Sequence, residues 1–243
     1  MQIEICTNSF SSAKIAASAG AQRIELCQAL EIGGLSPSFA DITLSLELKQ
    51  VFDLEVYVLI RSRPGDFSYR SEELKVMQRD IEHCKALGVD GVVIGALTRD
   101  RRIDTRALNR LITAAQGMGR TFHRAFDFVV DPHLATQQLI DLGVKTILTS
   151  GQQKKVKTGI PLLSELQDRF GHQIEFMAGG GVREANVVQV LESTGLQAVH
   201  ASASAPASIS DLPHSRTDIS YKYKETKLDW VRNLRRAIDT SVL

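Results

Sequence analysis

"QIEICTNSFSSAKIAASAGAQRIELC" (residues 2–27) sets two short apolar runs, "QIEIC" and "RIELC", on either side of a longer Ala-rich stretch. Runs rich in β-branched residues suit a pleated sheet and the stretch between them suits a helix, so the order reads strand, helix, strand. An open sheet that binds a dinucleotide would place G-x-G-x-x-G in the first turn. The turn here is "CTNSFSS", which has none. The reading therefore turns to a closed barrel, and the rest of the chain is asked for further units.

Six more runs follow: "EVYVLI" (55–60), "GVVIG" (91–95), "RTFHRAF" (120–126), "TILTS" (146–150), "IEFMA" (174–178) and "AVHAS" (198–202). Between them lie patterns at three- and four-residue spacing, such as Leu74, Met77, Ile81, Cys84 and Leu87, or Leu108, Leu111, Ile112 and Ala115. A last one, "KLDWVRNLRRAID", sets Leu228, Val231, Leu234 and Ile238 on one face. Eight such units in 243 residues, near the ~250 typical of the fold, predict an α/β protein of the (β/α)8 TIM-barrel class. No linker interrupts them, so residues 1–243 are expected to form a single domain. Only 202–225, between the eighth strand and the closing helix, is long and polar.

Composition limits the partners. The chain is 43% hydrophobic and 23% charged, and 29 Lys and Arg against 28 Asp and Glu leave a net charge of +1. No basic stripe offers itself to a phosphate backbone, so nucleic acid is not expected. No apolar run approaches the ~20 residues that cross a bilayer, and no signal segment opens the sequence, so a cytoplasmic location is expected. The three cysteines lack a CxxC and should be thiols there. Oligomeric state, including a homo-oligomer, is left open.

Alternation along a strand separates the two faces of a barrel wall. Ile3, Ile5, Ile24 and Leu26 form the helix-facing set, which turns Glu4, Cys6, Glu25 and Cys27 inward; the same phase sends Tyr57, Leu59 and Arg61 inward from the third strand. In the fifth, Thr121, His123, Ala125 and Asp127 share a face, with Arg124 on the opposite one. Arg61, Arg63, His123, Asp127, Ser150 and His200 fall at or just past strand ends, where the active sites of this fold lie. "RSRPGDFSYRSEE" (61–73) suits a cover that binds an anion. "MAGGGVRE" (177–184) would bring the amides of Gly180 and Gly181 to a helix N-terminus, an anion-binding arrangement. The lysines of "SGQQKKVKTG" (150–159) read as a solvated loop.

Cys84 keeps step with Met77, Ile81 and Leu87 and belongs on a helix. Cys6 and Cys27 occupy matching positions in neighbouring strands. Two soft sulfurs together either fill a tapering barrel or hold a soft ion such as Cu(I), whereas tetrahedral zinc would want two more strong ligands.

At these residues the sequence resembles the CutC family, through "EICTNSFSSAKIAASAGAQRIELC", "GGLSPS", "VYVLIRSRPGDFSY", "LGVDGVVIGALTRDRRID", "TFHRAFD", "ILTSG" and "MAGGGV". The resemblance implies a cytoplasmic TIM barrel associated with copper homeostasis, with Cu(I) ligands matching Cys6 and Cys27. "GQQKKVKTG" and 203–225 depart from the pattern. Two functions are carried forward. One is Cu(I) binding, with a copper ion as the partner. The other is an enzyme on a small anionic, phosphorylated sugar-like metabolite, with Arg61, Arg63, Ser150, Gly180, Gly181 and His200 around the anion and His123 as acid or base tuned by Asp127 or Glu25.

Overall fold

The structure is a computed structural model that describes residues 1–207 and 223–241. Eight parallel strands close in sequence order: β1 (Gln2–Thr7), β2 (Arg23–Leu26), β3 (Glu55–Leu59), β4 (Gly91–Ile94), β5 (Gly119–Phe122), β6 (Thr146–Thr149), β7 (Glu175–Ala178) and β8 (Ala198–Ala201), which pairs back with β1. The helices α1 (Phe10–Ser18), α2 (Phe39–Glu47), α3 (Ser71–Leu87), α4 (Thr105–Ala114), α5 (Pro132–Asp141), α6 (Val156–Phe170), α7 (Glu184–Thr194) and α8 (Leu228–Ser241) alternate with them. Two short antiparallel strands, β9 (Ser204–Pro206) and β10 (Lys224–Thr226), lead from β8 into α8. The expected (β/α)8 TIM barrel is thus present. Of the polar segment 202–225, residues 208–222 lie outside the described residues.

Parity holds where the strands are regular. Ile3, Ile5, Ile24, Leu26, Val56, Val58 and Ile60 are buried in the layer between strands and helices, with Met77, Ile81 and Cys84 of α3 and Val231, Leu234 and Ile238 of α8 packed in the same layer. Such alternation gives the barrel an inner set distinct from its wall. Inside, the Tyr57 ring lies over Gly91 and Gly119, where an added Cβ would sit 2.4 Å and 2.0 Å from the ring atoms and the hydroxyl oxygen respectively. Glycine on two strands is what lets one aromatic ring span the floor.

The fifth strand corrects the sequence reading. β5 ends at Phe122, and Arg124–Phe128 form a 3-10 turn capped by His123, whose Nδ1 accepts from the Ala125 amide at 3.1 Å. Alternation stops being informative once the backbone leaves the pleat. Ala125 and Phe126 both join the strand–helix layer. Asp127 is directed away from His123, and Arg124, expected at the strand–helix interface, reaches the mouth of the barrel instead.

Candidate metal and ligand site at the barrel mouth

A cavity of about 540 Å³ opens at the C-terminal ends of the strands. On one side, three adjacent strands bring soft and hard donors together. Cys6 on β1 and Cys27, just after β2, place their sulfurs 3.7 Å apart, and Cys27 Sγ also lies 3.4 Å from the Thr7 carbonyl. Glu25 on β2 and His200 on β8 complete the group: one donor atom each from Cys6, Glu25 and His200 lie within 4.8 Å of one another. Parity and register explain the meeting, since Cys6 is level with Glu25, and β8 lies beside β1 with His200 level with Glu4.

Beneath the cavity runs a chain of charges. His200 Nδ1 stands 2.7 Å from Glu4 Oε1, Arg23 Nε donates to Glu4 Oε2 at 2.7 Å, and the Arg23 guanidinium stacks 4.4 Å above the Tyr57 ring centroid. Burial opposes the Glu4 anion, yet the His200 hydrogen bond and the Arg23 charge outweigh it and hold that carboxyl below its usual range. Burial also opposes the His200 cation, but contacts with Cys6, Glu4 and Glu25 raise this imidazole well above its usual value. The neighbouring Cys27 sulfur, then burial, push the Cys6 thiol well up. Burial raises Glu25, ahead of the opposing His200 charge 3.5 Å away. The surroundings therefore favour the ionised forms of Glu4 and His200 and the neutral forms of Cys6 and Glu25.

His123 lies elsewhere in the wall and behaves differently. Burial, then the charge of Arg61, lowers its pKa to about 3, so the ring is neutral. Because Nδ1 accepts from Ala125, the proton sits on Nε2, which is buried and without a partner among the described residues. An unfolded imidazole takes its second proton near pH 6.5, whereas the folded one refuses it until about pH 3, so acid favours the unfolded chain between those values. His123→Phe removes that contribution. The stability of the original chain relative to this variant is expected to fall by about 2 kcal/mol between pH 7 and pH 5, read by urea unfolding at both values.

Among the residues singled out from sequence, Cys6, Cys27, Glu25, Arg61, His123, Gly180, Gly181 and His200 all line the cavity. Arg63 does not: it bonds Asp66 and the Ser68 carbonyl within its own loop and Glu73 in the first turn of α3. Asp127 accepts from Thr149 Oγ1 at 2.6 Å and from the Ser150 amide at 2.9 Å, and Arg124 binds both Asp127 and Ser150 Oγ, so Asp127 and Ser150 shape the β6 turn instead of tuning His123. Sequence reasoning passed over Arg23, although its parity with Glu25 placed it inside, and it put Arg124 on the wrong face.

The fold and the mouth define a TIM barrel with a cavity at its C-terminal face and a thiol, carboxylate and imidazole group on one wall of it. The family model described as the CutC family matches residues 1–205. This chain belongs to the CutC family. It is 38% identical over 245 residues to family protein CutC of Pasteurella multocida, covering 100% of this chain and 99% of that one. It is also 44% identical over 200 residues to family protein CutC of Bacteroides fragilis, covering 82% of this chain and 79% of that one. A solved structure of a CutC protein from Streptococcus agalactiae, named for copper homeostasis, aligns with a TM-score of 0.80 at 32% identity, over 83% of this chain and 98% of the other.

Proposed function

We propose that this chain binds Cu(I) as cargo in cytoplasmic copper homeostasis, through Cys6 and Cys27. The observation that carries the reading is the buried pair of sulfurs 3.7 Å apart, both in the cavity wall. At a metal–sulfur bond of about 2.3 Å, the value for zinc thiolates, sulfurs at that spacing meet one ion at an angle well short of linear. A third donor then has room, and His200 and Glu25 stand beside Cys6. Softness favours Cu(I) for the sulfur pair. Binding must expel the thiol protons, which the raised Cys6 pKa makes costly at low pH. Among the described residues no helix is long and apolar enough to cross a membrane.

The test is competition for Cu(I) between the reduced protein and a colorimetric chelator. Cys6→Ser and Cys27→Ser are each expected to weaken binding at least tenfold, about 1.4 kcal/mol, because serine keeps the size and replaces a soft donor by a hard one. Cys84→Ser should leave it unchanged, since Cys84 is buried under α3 with its thiol pushed up to about 12. Unchanged affinity in the Cys6→Ser, Cys27→Ser double variant would reject the proposal.

A further inference from the structure

Copper would use the wall where β8, β1 and β2 meet and leaves the rest of the cavity unexplained. Arg61 is 5% exposed; its Nη atoms donate to the carbonyls of Ile32, Gly34 and Gly65, and its Nε has no partner. Among the described residues no carboxylate is in ion-pair contact with that guanidinium, so a full positive charge is buried against carbonyl dipoles and the face of the Phe67 ring, 5.0 Å away. Such a charge is costly unless an anion joins it. His123, also 5% exposed, lines the same cavity and keeps a buried, unpartnered Nε2–H behind its wall.

Across the mouth, the run from Gly180 to Ala185 lines the cavity and leads into α7. Gly180 and Gly181 both have positive φ, and the amides of Gly180, Gly181 and Val182 meet no acceptor among the described residues. Three free amides ahead of a helix N-terminus suit an oxyanion with several peripheral oxygens. Arg124 stands at this wall too, its Cζ 3.3 Å from where a Gly180 Cβ would be, and the Lys155 stem passes Gly181. The volume of about 540 Å³ falls within the ~300–1,000 Å³ of small-molecule sites.

We infer that the cavity binds a small organic phosphate, its phosphoryl group against the amides of residues 180–182 and Arg124, and a second acceptor group turned toward Arg61 and His123. The inference is independent of copper, since it uses neither Cys6 nor Cys27.

Calorimetry on the copper-free full chain tests it, with inorganic phosphate and glycerol 3-phosphate as probes. Gly181→Ala and Gly181→Asp share the strain of a φ of +90°, and a Cβ there meets only Lys155 Cγ at 3.9 Å, so the pair differs chiefly in charge. Phosphate is expected to bind the original chain and Gly181→Ala within threefold of each other, and Gly181→Asp at least tenfold more weakly. Arg124→Gln, expected to lose at least threefold, supplies the same readout should the aspartate variant not fold. Glycerol 3-phosphate should bind more tightly than inorganic phosphate and lose that advantage in His123→Phe. Phosphate binding that survives in Cys6→Ser, Cys27→Ser supports the inference whatever copper does. No saturable binding to the original chain, or equal affinity in Gly181→Asp, would overturn it.

Discussion

Arg23→Met is expected to destabilise the barrel by about 3–5 kcal/mol, the cost of leaving a buried charge without its partner. Glu4 is fully buried and lies between the Arg23 guanidinium and the His200 ring, with both contacts at 2.7 Å. Methionine keeps much of the stem but removes the cation that lies over Tyr57, so Glu4 must either stay ionised on His200 alone or take up a proton. Glu4→Gln added to Arg23→Met should recover part of the loss, because it removes the stranded charge as well. Urea unfolding of both variants at pH 7 measures the difference. A loss below about 1 kcal/mol for Arg23→Met would mean that His200 alone neutralises Glu4.

Gly119→Ala is expected to cost about 3 kcal/mol or more, at the upper end of overpacking effects. The new methyl would stand 2.0 Å from the Tyr57 hydroxyl oxygen and 2.6 Å from its Cζ. The ring cannot easily retreat, since Gly91 closes the other approach and Arg23 lies over its face. No positive φ is involved at Gly119, so the penalty is steric. Tyr57→Leu should therefore be much less harmful in the Gly119→Ala background than in the original chain. A double-mutant cycle reads this coupling, and additive losses would show that the two residues do not compete for one space.

How much of this could be read from the sequence depended on whether a signal was local. The inward turn of Cys6, Glu25 and Cys27 was legible because Ile3, Ile5, Ile24 and Leu26 mark the opposite face of two regular strands. "FHRAF" misled because its apolar residues read as the continuation of a buried strand, while the chain leaves the sheet at His123. Arg63 was misplaced for a related reason. Asp66 in its own loop and Glu73 in the first turn of α3 satisfy it, and a cluster of arginines at a strand end does not reveal that. The contact between Glu4 and His200 had no local signal at all. It is set by the stagger with which the barrel closes, a property of all eight strands together.

That last contact joins residues 196 positions apart, and it has a consequence for synthesis. Ribosomes add about 5–20 residues per second, so about 10–40 s separate the emergence of Glu4 from that of His200. For most of that interval both cysteines of the mouth exist on a nascent chain whose β1 edge is bare, because β8 is the strand that covers it. The two sulfurs are made early and sheltered last. A cell that starves or stalls during translation would release fragments carrying the thiol pair without the imidazole or the closed wall.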